Sequence, residues 1–210
     1  MRTMISEMLE RSKIRPECAN NYLAPHLDTL ILMIREFESL VNDRKLVKPG
    51  NYKKGSFLLR EGEMPGHSWF ITEGIARCFS FTNGVEIIRN FFFPCEFMGL
   101  FGREMVQDKS PVSIQLLTES EVYAIDMHCL AELEPKFPIL YEIERLISVS
   151  YSLWIDKMFL DFQVLTARER YKQLVMQHPS LLKHVSLTHI ASFLSIKPET
   201  LSRIRKKILI

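Results

Sequence analysis

Hydrophobic positions divide the chain into successive patterns, and the first of them is helical. Apolar side chains between residues 27 and 37 recur at the spacing of one helix face. Pro25 lies just before them, where the first turn of a helix tolerates proline. We predict one or two helices in residues 1–50, with Pro49 and Gly50 ending the last one. The apolar face consists of Leu27, Leu30, Ile31, Ile34 and Phe37.

Short apolar runs separated by turn residues follow between about residues 51 and 126. Asn83-Gly84 lies between two of these runs and favours a tight hairpin, because both central residues of a type I′ turn need positive φ. Many short strands at near-regular spacing are typical of a β-sandwich or barrel. The predicted strands are residues 57–59, 69–71, 75–81, 87–93, 113–117 and 122–125.

A helical pattern with two apolar stripes occupies residues 130–164. One stripe follows the alternating spacing of a heptad seam, with polar breaks at Ser150 and Lys157. One stripe can cover the chain's own β domain, so the other favours a partner, most simply the same helix of a second subunit. The alternative is a helix buried within one chain. The seam is Ile139, Ile143, Leu146, Ser150, Leu153, Lys157, Leu160 and Val164, and the second stripe is Leu140, Ile147, Tyr151, Trp154 and Met158.

The last segment, residues 166–210, predicts a helix-turn-helix. Residues 178–180 interrupt a first helix, and Ser186 is a candidate cap for a second. After the short turn 195–197, Pro198 and Glu199 are suited to opening a final helix over residues 198–209. Two short helices around a tight turn, with the second basic, are typical of this DNA-binding motif.

Charge is concentrated in the same segment. The whole chain has a net charge of +2, but residues 164–210 carry nine Lys or Arg and two acids, leaving residues 1–163 net acidic. We predict that Arg203 contacts a base, since arginine can donate two hydrogen bonds to guanine, and that neighbouring cations contact phosphates. The candidate DNA-binding residues are Ser186, Thr188, Lys197, Glu199, Thr200, Ser202, Arg203, Arg205, Lys206 and Lys207.

Composition and motifs exclude several other classes. The chain lacks an apolar run long enough to cross a bilayer, and its beginning does not resemble a secretory signal. Four scattered cysteines argue against a disulfide framework and favour a reduced, cytoplasmic protein. Glycine-rich phosphate loops, nucleophile elbows and histidine pairs at metal spacing are absent from the sequence, so we expect neither an enzyme nor a metal site.

Several segments resemble the catabolite-activator/FNR family of bacterial transcription regulators. Residues 62–63, 70–74 and 97–99 resemble its cyclic-nucleotide-binding jelly roll, residues 137–163 its long dimer helix, and residues 196–203 its recognition helix. The resemblance implies an α+β protein that forms a homodimer, binds a near-palindromic DNA site and contacts RNA polymerase. We expect a roll domain with N-terminal helices in residues 1–130, a dimerisation helix in 131–164 and a DNA-binding domain in 165–210.

Departures from the family concern its effector site. Members that bind cyclic nucleotides have a Gly-Glu pair for the ribose and an Arg-Ser pair for the phosphate. Here Leu100 follows Gly99, and Ser110-Pro111 stands at the second pair, with Lys109 as the neighbouring cation. Lysine is a mobile point charge and not a bidentate fork. We therefore predict that cyclic AMP is not bound in the usual way, and the effector stays unknown.

Two further departures lie near the recognition helix and the N-terminus. Ser195 stands where the family often has glycine in the turn, and we expect no C-terminal wing. Only Cys18 lies near the position of the cysteine cluster of iron–sulfur members, so the sequence does not support such a cluster. A DNA-binding regulator is the leading hypothesis. The alternative is a ligand-binding or interaction module whose basic tail does not bind DNA specifically.

Overall fold

The computed structural model of the chain describes residues 23–40, 46–99 and 108–208. It begins with a short 3-10 helix, Ala24–His26, and helix α1, Leu27–Leu40, so the predicted helix near the start is confirmed. The strands are β1 (Val47–Tyr52), β2 (Phe57–Leu59), β3 (His67–Glu73), β4 (Ala76–Thr82), β5 (Val85–Phe92), β6 (Glu96–Met98), β7 (Ser113–Leu116) and β8 (Ser120–Asp126). The later helices are α2 (Met127–Leu133), α3 (Ile139–Val164), α4 (Ala167–Gln177), α5 (Leu181–His184), α6 (Leu187–Phe193) and α7 (Pro198–Ile208).

The strands form two antiparallel four-stranded sheets that face each other as a jelly roll. Sheet I has the order β1-β8-β3-β6, and sheet II has the order β2-β7-β4-β5. Strands β7 and β8 follow each other in the chain but lie in different sheets. The β4–β5 hairpin turns at Asn83 (φ 51°) and Gly84 (φ 77°), so the predicted tight turn is confirmed.

Three apolar clusters hold the fold together. The cluster between the sheets fills the roll with side chains such as Trp69, Phe92 and Met98. A second cluster joins the outer face of sheet I to α1, α2 and the first half of α3. A third joins the outer face of sheet II to helices α4–α7, which we call the C-terminal module. Because the middle of β4 is covered on both faces, residues 76–80 of that strand are all buried.

Helix α3 changes its surroundings along its length. In the first half, Leu140 and Ile147 of the second stripe are buried against sheet I and α1, as predicted for one stripe. Ile143 and Ser150 of the heptad seam are buried within the same chain as well. In the second half, the seam residue Leu153 is 62% exposed. Only the C-terminal half of the seam is therefore available to a partner.

Two expectations from the sequence are wrong. Pro49 and Gly50 do not end a helix but lie within β1, where Pro49 is opposite Tyr123 of β8. Strand β1 is at the edge of sheet I, and edge strands tolerate a residue that lacks an N–H donor. Cys95 is disulfide-bonded, so the chain is not wholly reduced in this structure. Spacing along the chain does not reveal which cysteines approach in space.

Within the described ranges, no helix combines the length and hydropathy needed to cross a bilayer.

Gly74, in the turn between β3 and β4, provides a test of the packing between the sheets. Its φ is 106°, and an added Cβ would collide with both side-chain atoms of Ser120 on β8. Gly84 also has positive φ but has open space around it. We expect Gly74→Ala to lower the free energy of unfolding by about 3 kcal/mol, and Gly84→Ala by about 1 kcal/mol. Urea denaturation of both variants measures this, and equal losses would contradict the packing described here.

Candidate nucleic-acid interface

Helix α6 is fixed by a side-chain cap at its beginning and by apolar packing along one side. The Ser186 hydroxyl oxygen accepts a hydrogen bond from the His189 backbone N–H at 3.2 Å, which satisfies an amide of the open first turn. Ile190 is fully buried, and Leu194 just after the helix is buried too. The predicted cap is confirmed, and Thr188 stays exposed.

A tight turn connects α6 to α7 and sets the direction of the second helix. The Ser195 N–H donates to the Ser192 carbonyl, and the Ile196 N–H donates to the Ala191 carbonyl, each at 3.0 Å. Ser195 adopts φ 55°, in the left-handed region where a non-glycine residue is strained by roughly 1–2 kcal/mol. The two hydrogen bonds hold a conformation that serine does not prefer.

Helix α7 is strongly amphipathic. Leu201 is fully buried and Ile204 partly buried, and both pack with α6 and the outer face of sheet II. The opposite side is basic and exposed, with Arg203 near its centre. The predicted DNA-binding residues that are exposed are Ser186, Thr188, Lys197, Glu199, Thr200, Ser202, Arg203, Lys206 and Lys207, while Arg205 is half-buried.

A polar cluster on sheet II holds α6 in place. The Arg77 guanidinium donates to the Glu86 carboxylate at 2.6 Å, to the Gln115 side-chain oxygen at 3.0 Å and to His189 Nε2 at 2.7 Å. Because guanidinium can only donate, Nε2 must accept here, and the 3.2 Å approach of Glu86 to the same atom is not a hydrogen bond. Burial, with the positive charge of Arg77, lowers the pKa of His189 despite the opposing effect of Glu86. The imidazole that meets the roll is therefore neutral.

Aromatic contacts complete the docking of the C-terminal module on sheet II. Phe193 of α6 packs against Phe91 of β5 with ring centroids 5.3 Å apart. The His178 ring, at the end of α4, stacks on Phe93 at 3.4 Å. The Ser192 hydroxyl also accepts a hydrogen bond from the backbone N–H of Ile88. These side chains fix the module on the roll and thereby determine which side of α7 faces outward.

Arg170 ties three segments of the chain together. Its Nη1 donates to the carbonyls of Phe162 and Leu165 at the end of α3, at 3.4 and 2.7 Å. Its Nη2 donates to the carbonyl of Leu194, next to the turn, at 3.2 Å. The guanidinium also lies 4.5 Å above the Phe162 ring. Arg170 therefore couples the long helix directly to the helix-turn-helix.

The sequence analysis did not predict the residues that dock the C-terminal module on the roll. Arg77, His178 and His189 are not among the candidate site residues predicted from the sequence. The alternation of residues along β4 was the one available signal that Arg77 is buried, since Arg77 shares a face with the apolar residues Ile75 and Phe79. What covers that face cannot be identified from local spacing, because the contacts join residues about a hundred positions apart.

Gly99, Lys109, Ser110 and Pro111, the predicted effector residues that the structure describes, do not converge on an anion site. Ser110 is buried, and its hydroxyl donates to the Val112 carbonyl at 2.8 Å. Its backbone groups bond to Gly62 and Glu63. Lys109 and Pro111 are exposed, and Gly99 (φ 110°) lies beside Ser68 and Trp69. Leu100 lies outside the described residues. In the part of the chain that the structure describes, no cluster of residues suited to a metal ion is found.

A jelly roll, a long helix and a helix-turn-helix with an exposed basic second helix define a two-module transcription regulator. Residues 49–134 match the family profile of the cyclic nucleotide-binding domain. The transcriptional activator protein anr of Pseudomonas aeruginosa is 32% identical over 94% of this chain and 86% of its own length. The chain therefore belongs to the catabolite-activator/FNR family, and it is a DNA-binding transcription regulator and not an enzyme.

Solved structures confirm the fold. FixK2 from Bradyrhizobium japonicum has a TM-score of 0.62 at 16% identity and covers 77% of this chain and 84% of its own. The c-di-GMP responsive global regulator CLP of Xanthomonas campestris has a TM-score of 0.60 at 19% identity, with 84% and 90% covered. At these identities the likeness confirms the predicted α+β jelly-roll fold and says nothing about the ligand.

Titration of His178 tests the docking of the C-terminal module. Burial lowers the pKa of His178 to about 4, from an ordinary 6.5. The unfolded chain therefore binds more protons between these values, and the free energy of unfolding falls as pH drops through them, by up to about 3 kcal/mol. His178→Phe keeps a ring against Phe93 and removes the titration, so its stability should fall less over this range.

Glu96 titrates in the opposite sense, so the pH dependence of the wild type alone would combine two effects. Comparison with His178→Phe separates them. Burial raises the pKa of its carboxyl to about 8, although the Phe93 N–H that donates to it acts in the other direction. Its contribution to stability is therefore largest at low pH, in both proteins. The difference in thermal stability between the wild type and His178→Phe, measured between pH 4 and 7.5, gives the contribution of His178. Parallel curves would contradict a buried, neutral His178.

Proposed function

We propose that this regulator reads a near-palindromic DNA site as a homodimer, with α7 of each subunit in a major groove. The observation that carries the proposal is the outward face of α7, which is exposed and basic while Leu201 is fully buried behind it. An α-helix fits the major groove, and arginine can pair with O6 and N7 of guanine. Arg203 and Thr200 are proposed to contact base edges.

The remaining polar residues would position the helix on the DNA backbone. Lys206 and Lys207 lie exposed in the last turn of α7, and Lys197 is exposed just before its first turn. Such cations neutralise phosphates and release counterions without reading sequence. Ser186 keeps its hydroxyl proton while capping α6, so it can still donate to a phosphate.

The second half of α3 is the proposed dimer contact. Around the helix, large apolar side chains are exposed on either side of the polar residues Ser152 and Asp156. Leu153, Phe159 and Val164 are each more than 60% exposed. Exposed apolar side chains of this size are typical of a protein interface. A partner helix there would place two copies of α7 about a two-fold axis, which is why we propose a near-palindromic site.

The effector is proposed not to be cyclic AMP bound in the usual way. Ser110 uses its hydroxyl and backbone groups within the roll, Lys109 is exposed, and apolar side chains fill the space between the sheets. A cyclic phosphate buried there would need a fixed cation. We further propose a cytoplasmic protein that contacts RNA polymerase, in line with its relative from Pseudomonas aeruginosa, which is a transcriptional activator.

Arg203→Ala tests base recognition on a site obtained by selection from random duplexes. We expect its affinity for the selected site to fall by about 1–3 kcal/mol, with little change on unrelated DNA. Lys207→Ala should weaken both to similar extents and reduce the dependence of binding on salt. Lys54→Ala, on the exposed β1–β2 turn, serves as the control. Fluorescence anisotropy at several salt concentrations measures all four proteins, and uniform weakening by Arg203→Ala would contradict base contact.

Leu153→Glu tests the dimer. A carboxylate there would meet apolar side chains of the partner, so we expect the dissociation constant of the dimer to rise at least about tenfold. Met176→Glu is a matched control, because Met176 is 78% exposed on α4, away from the proposed contact. Sedimentation equilibrium gives the constants. A wild-type monomer, or equal association of the two variants, would rule out this interface.

A further inference from the structure

A cavity of about 140 Å³ lies where the roll, α3 and the C-terminal module meet. Glu96 and Phe93 belong to the roll side of its lining, Trp154 and Lys157 to α3, and Arg170 to the module. This cavity lies outside the space between the sheets, which the apolar cluster fills. All three parts of the molecule therefore face one cavity, which is partly open to solvent.

Arg170 brings a positive charge to this cavity that the described protein does not neutralise. Its two terminal nitrogens bond to backbone carbonyls, but its Nε is buried without a hydrogen-bond partner. In the described ranges, no carboxylate oxygen lies within 4.0 Å of its guanidinium nitrogens, the distance limit of an ion pair. A buried charge and an unpaired donor are both costly unless another group compensates them.

The other charged residues of the lining do not cancel this positive charge, so one added negative charge would neutralise the lining. Lys157 adds a second cation, and Asp161 contributes one anion. Burial raises the pKa of Glu96 to about 8, so at neutral pH this side chain is mostly protonated and does not repel an anion. His178 is neutral there, because burial lowers its pKa to about 4. The lining therefore has a net charge of one positive unit.

One part of the wall is apolar and flat, and polar and charged side chains form the rest. Trp154, Phe162 and Phe193 line the cavity, as does Phe93, on which the His178 ring is stacked. Apolar cavities of about 150 Å³ admit a molecule the size of benzene. The size and the walls thus suit a ligand with one ring or an equally compact apolar body.

We propose that this cavity binds a small organic monoanion with a flat apolar body, whose acidic group is held by Arg170 and Lys157. The assignment also gives a reason for the lysine that interrupts the heptad seam of α3. A ligand held there touches the roll, the long helix and the module at once, so it has the position expected of an effector. The proposal goes beyond DNA recognition and does not depend on α7.

Benzoate is the probe, because it combines one ring with one carboxylate, and benzamide is its neutral counterpart of equal shape. The full chain with Trp69→Phe retains Trp154 as its single tryptophan, so its fluorescence reports on the cavity. We expect a saturable change with benzoate at millimolar concentrations or below, and at least about tenfold weaker binding of benzamide.

Lys157→Gln locates the bound anion. Arg170→Gln is unsuited to this, because Arg170 also holds three carbonyls and its loss can disrupt the fold. Lys157→Gln should weaken benzoate binding about three- to tenfold, whereas Lys172→Gln, which removes an exposed lysine of α4 outside the lining, should not. Three results would each overturn the proposal: no saturable change, equal affinity for benzamide, or equal binding by the two lysine variants.

Discussion

The packing of the C-terminal module on the outer face of sheet II is the interaction on which the rest of the structure depends. Ile88 and Phe91 of the sheet share one apolar cluster with Ile190 and Leu201 of the helix-turn-helix. Within the same contact, Arg77 is buried and satisfied by side chains of β5, β7 and α6. A buried guanidinium without these partners would be strongly destabilising. The hydrogen bonds of Arg77 thus fix an orientation of the C-terminal module that apolar burial alone would not define.

Packing on the roll determines what α3 and α7 present to other molecules, since α3 packs on sheet I and α7 on sheet II. Both helices bury one side within the chain and expose the other, but the exposed sides differ in chemistry. The second half of α3 exposes large apolar side chains, such as Leu153 and Phe159, which suit another protein. Helix α7 exposes cations around Arg203, which suit a polyanion. Two contacts with the roll, one on each sheet, therefore leave different surfaces for the two proposed partners.

The roll keeps the family fold, while its sequence predicts that the family's usual polar groups for a cyclic phosphate are missing. Ser110, at the place of the phosphate-binding pair, is committed to hydrogen bonds inside the roll. The unneutralised cation that an anionic ligand requires occurs instead at Arg170, where the module meets α3. The proposed ligand site thus lies apart from the family's usual one, which a shared fold permits, since a site depends on a few side chains and a fold on many.

The sequence by itself determined six of the eight strands, the long helix and the helix-turn-helix, together with the tight hairpin at Asn83-Gly84, the cap at Ser186 and the basic face of α7. These features depend on local periodicity, turn chemistry and capping, which act over a few residues. Alternation along β4 indicated two faces but not that both would be covered. The strand at Pro49, the disulfide at Cys95, the burial of Ser150 and the partners of Arg77 were decided only by tertiary structure. Each depends on which distant segments meet, because contact in space is not encoded in the spacing of neighbouring residues.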